Sequence, residues 1–534
     1  MPIDEVIVKN FKALKNFRAK LNLDLNIIVG DNESGKSTLL EAINLCLTSQ
    51  LNNKWINQEL SPYLFNIETT QDFIRALQEG RNPEPPEILI EVYLTKDSEY
   101  MTLRGSINSL RADLPGLSLT IKLSKEYLEE YKNYISNPSQ VKAIPTEYFE
   151  AYWYSFSNNP IAYNTLQIKP VLLDSSSIRL QNGTDYYIQR TIQECLSPQE
   201  KASMSILYRL LKEKFAEEDT IKSINARLES AKGVITEKLL SISLDISHKS
   251  NWDSNITSYL DDIPYVFIGK GEQSVLKTMF ALQRKNARDA QVFLIEEPEN
   301  HLSYTNMSIL IKKISDNFTD KQIIITTHST FVSNKLGLSK LILLNFGGVS
   351  TDLGALSKTT QDYFMKLPGY DTLRLIIAKR VILVEGPSDE LIVQKAHLSR
   401  YNRLPIDVGL DIISVRGLSF KRFLEIAVLL KKPVSVITDN DGNTERLQAR
   451  YAEYIDNYPF IRFFYPSDNS SPTMEYLLFD SIGLETLNKI FIQSISTKED
   501  MVSYMKQNKV QCALQIFDSQ FEFDFPDYIV SAIE

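Results

Sequence analysis

The sequence predicts an α/β protein built in successive parts, and three observations carry that reading. Short apolar runs alternate with helical stretches in the first and last thirds of the chain, the pattern of parallel sheets. One early run, LNIIVG at Leu25 to Gly30, feeds straight into a glycine-rich loop and a helix. Late runs end instead on acids, as in RVILVEGPSD at Arg380 to Asp389 and PVSVITDNDG at Pro433 to Gly442. At 534 residues the chain exceeds one hydrophobic core, so two to four domains are expected.

Composition narrows the class. Hydrophobic residues make up 43% and charged residues 23%, as in an ordinary folded protein. No apolar run approaches the roughly 20 residues needed to span a bilayer. The start, MPIDEVIVKNFKAL, lacks the layout of a signal peptide, so no membrane and a cytoplasmic location are expected. Cys46, Cys195 and Cys512 are scattered without metal-ligand spacing and read as core thiols. The net charge of -9 argues against nonspecific coating of nucleic acid, yet it leaves room for local basic grooves beside acidic metal sites.

Taken in order, Val6 to Phe11 and Leu25 to Gly30 read as strands. The second runs into GDNESGKST, in which Gly30, Gly35, Lys36 and Ser37 fit G-x-x-x-x-G-K-[ST] and Asn32 and Thr38 complete the loop. Glycines let backbone N–H groups curl around phosphate, and the helix start favours its charge. Lys36 would reach the terminal phosphates and the Ser37 hydroxyl would hold magnesium. ATP with Mg2+ is the expected ligand.

Ile88 to Leu94 and Leu117 to Leu123 alternate as strands should and extend the nucleotide part. Tyr148 to Tyr163 is rich in aromatics, which suit a half-buried sheet or interface better than base stacking. Ser197 to Ser241 turns helical, opening on Ser197, Pro198 and Glu200 as a capped start. It is too short for a coiled-coil arm and reads as a helical insertion for dimer contacts.

FIGKGEQ at Phe267 to Gln273 is a small glycine turn introducing a helix over Ser274 to Leu282. VFLIEEPENHL then delivers Glu296 and Glu297 from a buried strand, the first for the magnesium shell and the second to orient an attacking water. KQIIITTHS ends another strand on His328, read as a sensor of the terminal phosphate. In order and context these four motifs resemble an ABC-type ATPase of the SMC and RecF group. The resemblance implies that Gly269 to Gln273, with Gly271 and Gln273, is the signature turn closing on a partner's ATP. Glu296 stands where that family usually has Asp, and hydrolysis would depend on dimerisation.

After a strand at Lys340 to Phe346 and a polar connector, the second part begins near Leu373. Strand RVILVEG, a helix at Asp389 to Leu398, strand DIISVRG, a helix at Phe420 to Leu430, strand PVSVIT, a helix at Thr444 to Ile455 and strand IRFFYPS alternate regularly. Sites on such sheets lie at the strands' carboxyl ends, where Glu385, Asp439 and Asp441 fall. This pattern resembles the Toprim domain of topoisomerases, primases and certain nucleases, in which a Glu and a D-x-D bind magnesium.

An ABC-type ATPase followed by Toprim resembles the OLD (overcoming lysogenization defect) family, and the tail is most similar to its class 2 members, represented by the Gabija antiphage nuclease subunit. The resemblance implies that Glu385, Asp389, Asp439, Asp441 and Glu475 hold metal, Mg2+ or alternatively Mn2+ or Ca2+. It gives Lys509 an assisting role in catalysis and suggests a helicase-like partner. Each residue also has a plainer reading. Asp389 opens a helix as a cap, Asp441 suits an Asn-Asp-Gly turn, Glu475 fits a helix surface and Lys509 a solvated one. Lys421-Arg422 and Lys431-Lys432 suit DNA phosphate or solvent alike.

The expected layout is thus an ATPase in residues 1–150 and 261–350, a mostly helical dimerisation insertion in 151–260, a connector in 351–372 and a Toprim part with helical extension in 373–534. Several carboxylates converging at one edge can hold two ions about 4 Å apart for in-line attack on a phosphodiester. Without cations they would repel one another. The expected activity is metal-dependent DNA endonuclease or nickase, regulated by the ATPase. The alternative is a non-cleaving DNA repair or recombination ATPase whose Toprim part is structural. Topoisomerase-type transesterification needs a tyrosine-bearing gate domain, which nothing after the Toprim strands is long enough to supply.

Overall fold

The computed structural model describes residues 3–52, 54–162, 166, 168–174, 180–181, 184–185, 196–229, 241–242, 259–273, 275–276, 290–300, 302, 304–317, 321–345, 350–367, 371–417 and 420–534. Cys195, Tyr163, Phe346, the stretch 230–240 and most of the helix expected at 274–282 lie outside them. The chain divides into two compact units, Met1–Leu25 with Ser37–Thr326, and Asn26–Lys36 with Thr327–Glu534.

In the first unit, Ile3–Phe11 pairs antiparallel with both Leu14–Lys20 and Ile88–Leu94, and the sheet continues through Leu114–Leu123 to Phe149–Ser155. The alternation seen in the sequence puts Leu117, Leu119 and Ile121 inside. The aromatic run at Tyr148 becomes the last strand of this sheet, half-buried as expected, and the Trp153 indole donates to the Cys46 carbonyl at 2.7 Å. A second sheet in this unit is parallel, with Val292–Glu296 between Pro170–Asp174 and Gln322–Thr326. Val292, Phe293, Leu294 and Ile295, and Ile323, Ile324 and Ile325, are buried on both sides of their strands, as parallel strands require.

The expected capped helix is present as Pro198–Glu217, with Ser197 and Glu200 forming a reciprocal capping box. It stops at Glu218, and a second helix, Asp219–Glu229, follows. Ile206, Leu207, Leu210 and Leu211 on the first helix are more than half exposed.

In the second unit, Leu25–Val29 lies parallel to Leu341–Leu344, and Ile27, Ile28 and Val29 are fully buried. Each such side chain contributes about 1.5–3 kcal/mol of burial. The other sheet of this unit is wholly parallel, in the order Leu410–Ser414, Arg380–Val384, Val434–Ile437, Ile461–Phe464. The chain goes from the first strand to one side and then returns to the other, so the order reverses between Arg380–Val384 and Val434–Ile437. A crevice at the carboxyl ends of two strands belongs at such a reversal.

Helices Pro387–Tyr401, Lys421–Leu430 and Thr444–Asn457 connect the strands, close to the expected spans. The Arg374 guanidinium anchors this sheet, donating to Asp411 at 3.1 Å and to the Ile412 carbonyl at 2.9 Å. The remaining helices, from Met474–Ile482 to Asp527–Ile533, fold back on the same core, joining Ile382, Val384 and Ile437 with Met474, Ile516 and Ile529.

Candidate functional site

The two strands flanking the reversal bring their acids out side by side. Glu385 follows Val384 directly, and its Oε1 accepts from the Thr438 hydroxyl at 2.6 Å and the Asp439 N–H at 3.1 Å. Asp439, two residues past Ile437, accepts the Met474 N–H at 3.0 Å on Oδ1, which fixes the start of helix Met474–Ile482. That helix carries Glu475 as its second residue. Asp389 caps the helix after Glu385, its Oδ2 accepting the Gly386 N–H at 2.8 Å. Lys509, at the start of helix Lys509–Asp518, lies 2.9 Å from Glu475 Oε1. Ser388, Asp389, Glu475, Lys509 and Cys512 line one small cleft with a free volume of about 20 Å³.

Electrostatics show what this convergence costs. Burial, then repulsion from Glu385, Asp389 and Glu475, pushes the Asp439 carboxyl up to about 8. Burial likewise lifts Asp389 to about 6, against the opposing Gly386 N–H. Glu475 behaves differently. Burial alone would raise it, but the neighbouring Thr473 hydroxyl and the Lys509 ammonium outweigh that and hold it below its ordinary value. Its second oxygen is nonetheless buried without a hydrogen bond. Lys509 is raised in turn, since its acidic neighbours outweigh its own burial.

Glu385, Asp389, Asp439, Glu475 and Lys509, distant in sequence, therefore stand together. Asp441 does not join them in the same way: it is exposed on its turn, with φ +50°. The turn is held by Asn440, which donates to the Pro466 carbonyl at 2.8 Å and accepts the Gly442 N–H at 2.9 Å. Glu475 is buried rather than on a helix surface, and Lys509, though half exposed, is paired with it. Lys432 also departs from both readings of its basic patch. Its ammonium donates to the Ile376 and Ala378 carbonyls, and burial lowers it to about 8. Arg422 donates to the Thr359 and Thr360 hydroxyls at 2.8 and 2.9 Å. Sequence reading passed over Thr438, whose hydroxyl orients Glu385; its place after the strand was the available signal.

The donor set is suited to hard divalent cations, being carboxylates only. The raised Asp439 and the bare oxygen of Glu475 both mark a shortage of positive charge. Among the described residues no three carboxylate, imidazole or thiol groups already converge closely enough to enclose an ion. Glu385, Asp389 and Asp439 are turned toward backbone and hydroxyl donors instead.

The glycine-rich loop is built for close approach. A side chain on Gly30 would meet the Leu344 carbonyl at 2.4 Å and Ser34 Oγ at 2.7 Å, and Gly35 has φ +99°. Lys36 folds over its own loop, donating to the Gly30 carbonyl at 3.1 Å and the Asp31 carbonyl at 2.8 Å. Ser34 Oγ is buried without a partner, a donor suited to a phosphate oxygen. Ser37 and Thr38 lie in the first turn of helix Lys36–Thr48, and Asn32 lies in the loop before it.

Elsewhere, Glu296 ends its strand in register with Thr326. Glu297 takes φ +41°, with its N–H on the Thr326 carbonyl at 3.0 Å and its Oε2 accepting from Asn300 at 2.7 Å. His328 is exposed. Gly269 precedes a helical turn containing Gly271, but Gln273 is buried and donates to the Tyr265 and Ile268 carbonyls at 2.8 and 2.9 Å, holding its own turn together.

Comparison with known proteins agrees with both halves. Residues 1–332 match the AAA ATPase domain family, and residues 376–441 match the "Overcoming lysogenization defect protein-like, TOPRIM domain" family. The chain belongs to the AAA ATPase domain family. The OLD nuclease of Thermus scotoductus is 25% identical over 466 residues, 81% of this chain and 81% of that protein. Endonuclease GajA of Bacillus cereus is 22% identical over 426 residues, 74% of this chain and 67% of that protein. An ATP/GTP phosphatase of Helicobacter pylori is 21% identical over 345 residues, 61% of this chain and 85% of that protein. An OLD-type chain with these two domains implies use of nucleotide and of divalent metal. No helix among the described residues is long and apolar enough to cross a membrane.

Proposed function

We propose that this OLD-type protein is an ATP-binding DNA endonuclease whose cleaving centre is the acidic cluster at the strand reversal, with Glu385, Asp389, Asp439 and Glu475 as cation ligands. Asp441, on the exposed turn, would join only once cations or DNA bring its side chain inward. The observation that carries the reading is the clustering itself: four carboxylates stand on separate elements, one is lifted to about 8, and Lys509 pairs with Glu475 alone of the four. Retaining that repulsion is costly unless cations relieve it.

Divalent ions held there would supply an activated water and charge stabilisation for phosphodiester hydrolysis. The chain's own residues do the rest. Thr438 and the Asp439 N–H hold Glu385 in place. Lys509 restrains Glu475 and offers an ammonium to the negative charge that builds on the phosphate. In the ATPase part, the loop at Gly30, Asn32, Gly35, Lys36, Ser37 and Thr38 binds ATP and Mg2+. Glu296 supports the magnesium, Glu297 orients water, His328 senses the terminal phosphate, and Gly271 with Gln273 forms the signature turn.

The exposed face of Ile206, Leu207, Leu210 and Leu211 supports self-association through the helical insertion. Nucleotide state then sets how two nuclease centres meet DNA. The proposal includes an antiphage role beside a helicase-like partner, as the resemblance to Gabija-type proteins in the sequence implies, and a cytoplasmic location. The layout proposed is an ATPase in 1–150 and 261–350, an insertion in 151–260, a connector in 351–372 and a nuclease part in 373–534. The test is cleavage of supercoiled DNA with Mg2+ or Mn2+, with and without ATP. The reading requires loss of cutting with chelator and with D439A.

The second reading, a non-cleaving clamp, draws on one observation: among the described residues no three of the acids converge closely enough to enclose an ion. It predicts ATP-dependent DNA retention by a D439A variant and no cutting by the unaltered protein.

A further inference from the structure

A buried phenol beside the acidic cluster has no part in the hydrolysis proposed for it. Helix Asp527–Ile533 packs against helix Pro387–Tyr401 and against strands Val434–Ile437 and Ile461–Phe464. Those are the elements that lead into Asp389 and Asp439. From this helix Tyr528 joins the same hydrophobic core, its ring partly accessible but its hydroxyl sealed from solvent. That hydroxyl has no hydrogen-bond partner. A buried phenol normally finds one, because leaving it bare costs about 1–3 kcal/mol. Burial above all opposes its ionisation, and the charges of Asp439, Asp389, Glu475 and Glu385 add to that, Asp439 most strongly among them. Its sealed, unpartnered hydroxyl is a donor, and the carboxylates of the cluster are acceptors.

We propose that Tyr528 is a positioning residue of the cation centre, whose hydroxyl donates to the cluster's carboxylates, Asp439 first, once cations draw those side chains inward. Asp439 Oδ1 is already engaged by the Met474 N–H. A second donor, arriving from the opposite element, fixes the plane of the carboxylate. Phenylalanine at this position keeps the ring and its packing and removes only the donor. In the metal-free protein the change costs no stability, because the hydroxyl is unpartnered there.

The inference rests on reading the cluster as a cation site, and the experiment separates the two. Mn2+ binding without nucleotide is measured by calorimetry for the unaltered protein, D439A and Y528F, together with tyrosine-sensitised terbium luminescence and urea unfolding of the metal-free forms. Y528F is expected to bind Mn2+ about 10-fold more weakly, the worth of one hydrogen bond to a charged group. It should also give weaker terbium emission and, in the metal-free form, unfold at the same or a higher urea concentration. Unchanged Mn2+ affinity in Y528F, with D439A defective, overturns the role of Tyr528 alone, as does a loss of metal-free stability. Absence of Mn2+ binding by the unaltered protein overturns both readings.

Discussion

The glycine-rich loop and the acidic cluster both await charge of the opposite sign, but they wait differently. At the loop, the single cation Lys36 is stored on the carbonyls of Gly30 and Asp31. The backbone already has its working curvature, with Gly35 at φ +99°. At the cluster the backbone is equally fixed, yet the charges are in conflict and Asp439 is lifted to about 8. A phosphate site can be preformed by backbone dipoles that carry no net charge. A site for divalent cations needs full negative charges, and their repulsion leaves them protonated or turned away until the ions arrive.

The largest expected effect breaks the pair apart. D439A should lower DNA cleavage at least about 1000-fold, the scale of losing a preorganised charge in a hydrolytic centre, while ATP hydrolysis stays within about twofold. Parallel cleavage and phosphate-release assays check this, and equal loss of both activities would deny that the sites are separable. G30A should do the reverse. Its side chain has no room beside Leu344 and Ser34, so nucleotide binding should vanish at a stability cost of about 1–3 kcal/mol, with Mn2+ binding at the acids retained.

K509M sharpens the comparison within the cluster. It leaves Glu475 buried without its partner, at a cost of about 1–2 kcal/mol, reduced because the lysine is 49% exposed. Glu475 lies below its ordinary value of 4.5 when folded. Its contribution is therefore present above that pH and lost as pH falls through the folded value. K509M should flatten this acid limb in urea melts. The smallest effect concerns Lys432, lowered by burial from 10.5 to about 8. The unfolded chain binds the extra proton between these values, so stability should rise from pH 8 to 10.5, by about 2 kcal/mol or less. In K432M that rise should disappear.

The same contrast governs what could be read in the sequence. Gly30 to Ser37 is contiguous, and each residue's task follows from its place in one loop. Glu385 and Asp439 were legible because apolar strands point to their own carboxyl ends. Glu475 and Lys509 came from family resemblance, since nothing local distinguishes them from surface residues. Thr438 and Tyr528 escaped notice, and Lys432 was read only as part of a basic patch, because their environments are made by distant segments: Glu385, four acids on separate elements, and the Ile376 and Ala378 carbonyls. Gln273 illustrates the opposite case, a motif residue whose amide is spent on its own turn.

The central claim, that the acidic cluster is short of positive charge and is completed by divalent cations, is tested most directly by proton release. Nucleotide-free protein at pH 7 would be titrated with Mn2+ calorimetrically in two buffers of different ionisation enthalpy. The account predicts binding accompanied by release of the Asp439 proton, with both the binding and the release lost in D439A. Mn2+ binding of equal strength and equal proton release in D439A, or no binding to the unaltered protein, would contradict it.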